Sequence, residues 1–255
     1  NPMAVSLAEI MAFCEELLDS STLKDCSYNG LQVEGRSNEI NKIVTGVTGN
    51  CELFNLARQA HADLVLVHHG IYWKGADPRL TGILGKRVKA LGDMSLAAFH
   101  LPLDAHPLIG NNALMIKSLN AEVLGYLGGG GRETITMVGD FGSQNARLPQ
   151  ELADDLERLL GRRPLIMGPL DKPITKLAVC TGGGGFVLEG DLDGCTALIT
   201  GEVHEQHYHL AKELGVTVFV AGHHATEMCG IRALGQCIRE RFGIEEEFIN
   251  VYSPV

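Results

Sequence analysis

Leu64-Val65-Leu66-Val67-His68-His69-Gly70 decides how this chain is read. Four consecutive apolar residues end abruptly in two imidazoles and a glycine. A strand with one wet face alternates apolar and polar residues, whereas an unbroken apolar run belongs inside a sheet covered on both faces. Val218-Phe219-Val220-Ala221-Gly222-His223-His224 echoes the pattern far downstream.

Outward from these two runs, apolar strands alternate with amphipathic helices. Helices are predicted from Ser6 to Leu18, Cys51 to Ala60, Asn111 to Leu119, Pro149 to Leu160, His204 to Leu214 and Ala225 to Phe242. Ser6 with Glu9 three residues on forms a capping box. Further strands are predicted at Ile43 to Val47, Ser95 to Phe99, Lys176 to Cys180, Cys195 to Thr200 and Phe248 to Val251. The expected fold is α/β: two related three-layer α/β lobes with mostly parallel sheets, and a metal site at strand carboxyl ends between the lobes. Residues 1–125 plus 222–255 would form the first lobe and carry the ligands; residues 126–221 would form the second. The stretch Gly128 to Arg147 receives no assignment.

With 255 residues the chain can build one large or two small cores. A net charge of −10 argues against a broad nucleic-acid-binding face. The seven cysteines are scattered without a CxxC pair, which reads as reduced thiols in a cytoplasmic protein. Asn1-Pro2 ahead of Met3 reads as a remnant of expression, and no secretory signal or membrane-spanning apolar stretch is seen.

Five histidines closely follow apolar strands: His68, His69, His100, His223 and His224. Asp104 lies four residues after His100, and Pro102 between them is expected to keep the chain extended. Glu227 lies four residues after His223, where the first turn of a helix would point it back at that imidazole. Imidazoles mixed with carboxylates suit divalent Zn, Fe, Mn, Co or Ni rather than a Ca or Mg cage. A pair of such ions makes a nucleophile from water near neutral pH. Adjacent strand residues face opposite ways, so a His-His doublet can bind as a unit only where the chain bends; Gly70 and Gly222 permit bends. A lone histidine at a strand end is more often structural, but two doublets with two carboxylates outweigh that reading.

These residues fall within a larger set of motifs: Asn29-Gly30-Leu31-Gln32-Val33-Glu34-Gly35, Val67-His68-His69-Gly70, His100-Leu101-Pro102-Leu103-Asp104-Ala105-His106-Pro107, Gly110-Asn111-Asn112, Thr200-Gly201-Glu202 and Ala221-Gly222-His223-His224-Ala225-Thr226-Glu227. Together, and in this order, they resemble the Nif-three-like family, also described as GTP cyclohydrolase I type 2 homologs. The resemblance implies two divalent metal ions per chain, with Zn, Fe or Mn favoured. Their ligands would be His68, His69, Asp104, His223 and Glu227, Glu227 bridging. His100 and His224 would lie beside them as proton-transfer or substrate-orienting groups. It further implies a toroidal homohexamer, a trimer of dimers, and a hydrolase of a nucleotide-like, phosphorylated or heterocyclic small molecule, with GTP ring opening as one form. A metal-stabilised oligomeric scaffold that binds protein or nucleic-acid partners without catalysis is the alternative.

Other features are set aside. Thr181 to Gly185 resembles a phosphate cradle but lacks the Lys-Ser/Thr end of a P-loop, and a tight turn is preferred. His204, His207 and His209 read as a solvated or capping helix face. Glu202 is a candidate supporting residue. For Cys229, helix packing suffices; for Arg232, a surface ion pair competes with a carboxylate or phosphate contact. Tyr72 and Trp73 would stack a base or pack against a neighbouring lobe or subunit.

Overall fold

The computed structural model describes residues 4–255, and the reading of Asn1-Pro2 lies outside them. The chain divides into two compact units. The described residues through Leu103, with Gly230–Tyr252, form the first; Asp104–Cys229 and Ser253–Val255 form the second.

The first unit is built on a five-stranded sheet in the order Glu245–Phe248, Lys42–Thr48, Leu64–His69, Ser95–Ala98, Gly30–Val33. Neighbours pair in parallel except the edge strand Gly30–Val33, which runs antiparallel to Ser95–Ala98. Leu64, Val65, Leu66 and Val67 are each fully buried, as the unbroken apolar run requires. Val65, Val67, Val44 and Leu96 pack with Leu53, Phe54 and Ala57 of helix Cys51–Gln59 and with Leu91 of helix Gly82–Leu91. Asn50 caps the first of these helices, its side chain accepting from Leu53 N–H. Helix Leu7–Leu18 carries the expected capping box: Ser6 Oγ accepts from Glu9 N–H, and the Glu9 carboxylate accepts from Ser6 N–H.

The second unit holds a six-stranded sheet in the order Glu122–Tyr126, Met137–Asp140, Lys176–Cys180, Ala197–Thr200, Thr217–Val220, Leu165–Met167. Its three apolar strands are parallel, and the flanking strands are antiparallel. Alternate residues enter different layers. Leu177, Val179, Ile199 and Phe219 pack with Ile116, Leu152 and Leu156 on one side. Ala178, Leu198 and Val218 pack with Val187, Leu188 and Ala211 on the other. This is a three-layer α/β arrangement with a mixed sheet.

Several elements depart from expectation. Asn111–Ser118 and Glu122–Tyr126 go with the second unit, as does His223–Thr226. The units therefore differ from the 1–125 plus 222–255 and 126–221 division, and the proposed ligands fall in both. Leu101–Asp104 is a helical turn, not an extended stretch. Pro102 sits at its second residue, where the ring's fixed φ suits a helix and the missing N–H is not needed. The long helix expected from Ala225 is split into His223–Thr226 and Met228–Phe242, with Glu227 at the break. The last strand is Glu245–Phe248, three residues earlier than expected. The unassigned stretch contributes strand Met137–Asp140 between two antiparallel neighbours.

Candidate metal centre

In the first unit, parallel pairing carries Val67 beside Ala98, so His68-His69 and His100 emerge at the same carboxyl edge of adjacent strands. The rings of His68 and His69 lie 4.6 Å apart, and His100 is 5.3 Å from His68 and 5.7 Å from His69 between centroids. One ring nitrogen from each falls within 4.8 Å of the others, a group able to hold a metal ion.

The other ring nitrogens are tied down. His68 Nδ1 lies 2.8 Å from the Phe99 carbonyl, which can only accept, so the proton sits on Nδ1 and Nε2 carries the lone pair. His69 Nδ1 is 2.8 Å from Thr48 Oγ1. His100 Nδ1 donates to Asp25 Oδ1 at 2.8 Å. Imidazoles that ligate metals characteristically spend their second N–H this way, which fixes tautomer and ring orientation.

The Asn29-Gly30-Leu31-Gln32 motif supplies the frame. Asn29 Oδ1 accepts from His100 N–H at 2.8 Å, and its amide donates to Asp25 Oδ2 at 3.0 Å. Gln32 Oε1 accepts from Ile71 and Tyr72 N–H, while its amide nitrogen donates to the Tyr28 carbonyl. That amide packs so closely on Gly70 that no Cβ fits there. Gly70 thus serves close approach rather than a special dihedral. Trp73 meets His100 edge to face, centroids 5.2 Å apart and planes at 87°. Tyr72 packs against the first unit's core. Asp25 had no sequence signal: an isolated aspartate in a loop is unremarkable until the fold brings it to His100. It is buried, which by itself would raise its pKa; the hydrogen bond and charge of His100, with donors from Asn29 and Leu101, instead hold it well below the carboxylate range.

In the second unit, His223 is gripped at both nitrogens. Nδ1 donates to Glu202 Oε1, and Nε2 lies 2.6 Å from Glu227 Oε1. Burial opposes the imidazolium, but the two carboxylates outweigh it and lift the His223 pKa to about 9. Gly222 (φ +102°) provides the bend after strand Thr217–Val220. Gly182 (φ +70°) lies against Glu227 Oε1 and 2.9 Å, at an added Cβ, from His223 Nε2. Asp104 Oδ1 accepts from Asn111 Nδ2 at 2.8 Å and from Thr181 Oγ1 at 3.4 Å. Asn112 Oδ1 accepts from Thr181 N–H at 2.9 Å. The Gly110-Asn111-Asn112 motif thus orients both Asp104 and the glycine loop. His224 is buried, with its N–H donated to the Val255 carbonyl.

The Thr181 to Gly185 loop is a structural turn. Gly182 N–H goes to Thr226 Oγ1, Gly184 N–H to Thr200 Oγ1, and the Gly182 carbonyl accepts from Gly201 and Glu202. Those groups are spent inside the protein rather than offered to phosphate. His207 Nδ1 caps helix Glu205–Leu214 by accepting from His204 N–H, and exposed His209 faces Glu205. Neither joins a metal-capable group among the described residues. Arg232 stacks over Phe248, 5.2 Å from the ring centroid.

The Duf34/NIF3 (NGG1p interacting factor 3) model matches residues 5–254. This chain belongs to that family. Among its curated relatives, the GTP cyclohydrolase 1 type 2 homolog of Pseudomonas aeruginosa is 41% identical over 99% of this chain and 100% of its own. The one from Haemophilus influenzae is 43% identical over 96% and 98%. Among solved structures, the protein ybgI, described as of unknown function, matches with a TM-score of 0.89 at 39% identity, covering 98% of this chain and all of that one. TTHA1606 from Thermus thermophilus matches at 0.86 and 30%, covering 98% and 100%. No helix among the described residues is long and apolar enough to cross a membrane.

Proposed function

We propose that this member of the Duf34/NIF3 family is a dinuclear metal-dependent hydrolase. His68, His69, Asp104, His223 and Glu227 are its ligands, and its substrate is a nucleotide-like or other phosphorylated or heterocyclic small molecule. The observation that carries the reading is the anchoring of Nδ1. His68, His69 and His223 each engage an oxygen through Nδ1, from a carbonyl, a hydroxyl and a carboxylate. With Nδ1 so engaged, Nε2 is the nitrogen through which each ring would ligate a divalent ion, zinc, iron or manganese by donor type, His223 by exchanging its Nε2 contact with Glu227 for the metal. Asp104 and Glu227 are buried carboxylates held in place by Asn111, Thr181 and His223, and so supply pre-positioned oxygen donors beside the imidazoles.

Bound metal ions would supply Lewis acidity and lower the pKa of water at the site. The chain's own residues do the rest. His223 must release its Nε2 proton before that nitrogen can ligate. Asn111 and Thr181 hold Asp104 in place, and Glu202 keeps the His223 ring in one orientation. His100 and His224 are proposed for proton transfer and substrate orientation. The name shared by the curated relatives, GTP cyclohydrolase 1 type 2 homolog, supports a guanine-nucleotide substrate; opening of its imidazole ring with loss of formate, by a homohexameric ring in the cytoplasm, belongs to the same proposal.

The test is turnover of a nucleotide and phosphoester panel, GTP included, by zinc-, manganese- and iron-loaded protein, with formate as one readout. Hydrolysis that disappears in Glu227→Gln while the assembly persists supports the reading. Absence of turnover from fully metal-loaded, assembled protein across the panel overturns it in favour of a metal-stabilised scaffold.

A further inference from the structure

We propose that Asp25 is a positioning residue that locks His100 as the Nδ1–H tautomer and so presents Nε2 as a proton acceptor in the hydrolytic reaction; the catalytic half of this statement rests on the function proposed above.

An ionised carboxylate only accepts hydrogen bonds and has about four lone-pair sites. Asp25 fills them. Oδ1 receives His100 Nδ1 at 2.8 Å and Ser27 N–H at 3.2 Å; Oδ2 receives Asn29 Nδ2 at 3.0 Å and Leu101 N–H at 2.9 Å. Its side chain is 1% exposed. Because His100 N–H is also held by Asn29, both the ring and the backbone of His100 are fixed by one network. Trp73 closes on the ring edge to face.

The neighbouring imidazoles provide the contrast. His68 is anchored by a neutral carbonyl and His69 by a neutral hydroxyl. His100 is anchored by a buried carboxylate, which additionally stabilises the imidazolium formed when a ring accepts a proton. Among the three clustered rings of the first unit, His100 is the one whose Nδ1 is held by a carboxylate. In the reaction, Nε2 takes a proton from the attacking water as its oxygen bonds to the substrate carbon. It returns that proton to the leaving nitrogen, so the ring ends as it began.

Asp25→Asn makes this testable. On the Oδ2 side an amide NH₂ would face two fixed donors, Asn29 and Leu101. On the Oδ1 side it faces Ser27 and an imidazole that can change tautomer. The variant should therefore turn its NH₂ to His100 and drive the ring proton to Nε2.

Nitrogen-15 NMR of the imidazoles in zinc-loaded protein reads the tautomer directly. The expected wild-type signature for His100 is a protonated Nδ1 and an Nε2 at the shift of a free lone pair; Asp25→Asn should show the proton on Nε2. In parallel, kcat should fall by about 10⁴-fold with KM and zinc content retained, as for loss of the analogous carboxylate in a carboxylate–histidine pair. A wild-type proton on Nε2, an Nε2 shifted by zinc coordination, or an unchanged tautomer in Asp25→Asn each overturns the proposal. The wild-type spectrum decides alone should the variant not fold. Absence of turnover in wild type would sink the hydrolase reading and the acceptor role with it, yet leave the tautomer lock standing on the spectra.

Discussion

Gly182→Ala tests the packing around Glu227 without touching a proposed ligand. Gly182 has φ +70°, where an alanine costs about 1 kcal/mol. Its new Cβ would collide with Glu227 Oε1 and come within 2.9 Å of His223 Nε2. The Glu227 side chain is 3% exposed, so it cannot swing into solvent and must leave His223. Losing that charge-assisted contact costs roughly 1.5–3 kcal/mol. The metal-free variant should thus be about 2.5–4 kcal/mol less stable by urea denaturation, from these two contributions. Affinity for zinc, followed with a competing chelating dye, should fall by about 10–100-fold, the usual effect of disturbing residues that hold ligands in place. Wild-type stability together with wild-type zinc affinity would refute the placement of Glu227 against this glycine.

Other outcomes follow from the same structure. In metal-free protein the His223 pKa is raised to about 9 from a usual 6.5. The stabilisation it brings is complete below the unfolded value and lost as pH rises through the folded one. Urea stability of metal-free protein should therefore decline between roughly pH 6.5 and 9 by up to about 3 kcal/mol, a decline that Glu202→Gln should shrink. Zinc uptake at pH 7 should release at least the His223 proton, seen by calorimetry in buffers of different ionisation enthalpy. Phe219→Ala, a fully buried ring in the second core, should cost about 3–5 kcal/mol in chemical denaturation. Burial pushes the Cys14 and Cys180 thiols up to about 12, so a thiol reagent should label exposed Cys26 in native protein well before either of them.

The parallel strands and the histidines were legible because their signals are local. Leu64 to Val67 is an apolar run of strand length, half of it valine and followed by Gly70, which favours a covered strand over a buried helix, and helix Leu7–Leu18 announces itself through Ser6 and Glu9. The two antiparallel strands at one end of the second sheet were not. Glu122–Tyr126 and Met137–Asp140 are short, interrupted by glycine and held by antiparallel partners distant in sequence. Periodicity in a single stretch carries none of that. Pro102 misled because proline favours an extended predecessor yet is tolerated in a helix's first turn, and only the fold selects between these. Glu202 was readable as a supporting residue from its motif. Asp25 was not, since its role exists only through contact with His100, 75 residues away.

The most direct test is a titration of metal-free protein with zinc, read by calorimetry and native mass spectrometry, alongside His68→Ala and Glu227→Gln. Two ions per chain in the wild type, with one or both lost in each variant, is the expected result. A folded chain that takes up no zinc, or one whose two ions persist unchanged in both variants, would contradict the assignment of these side chains as ligands.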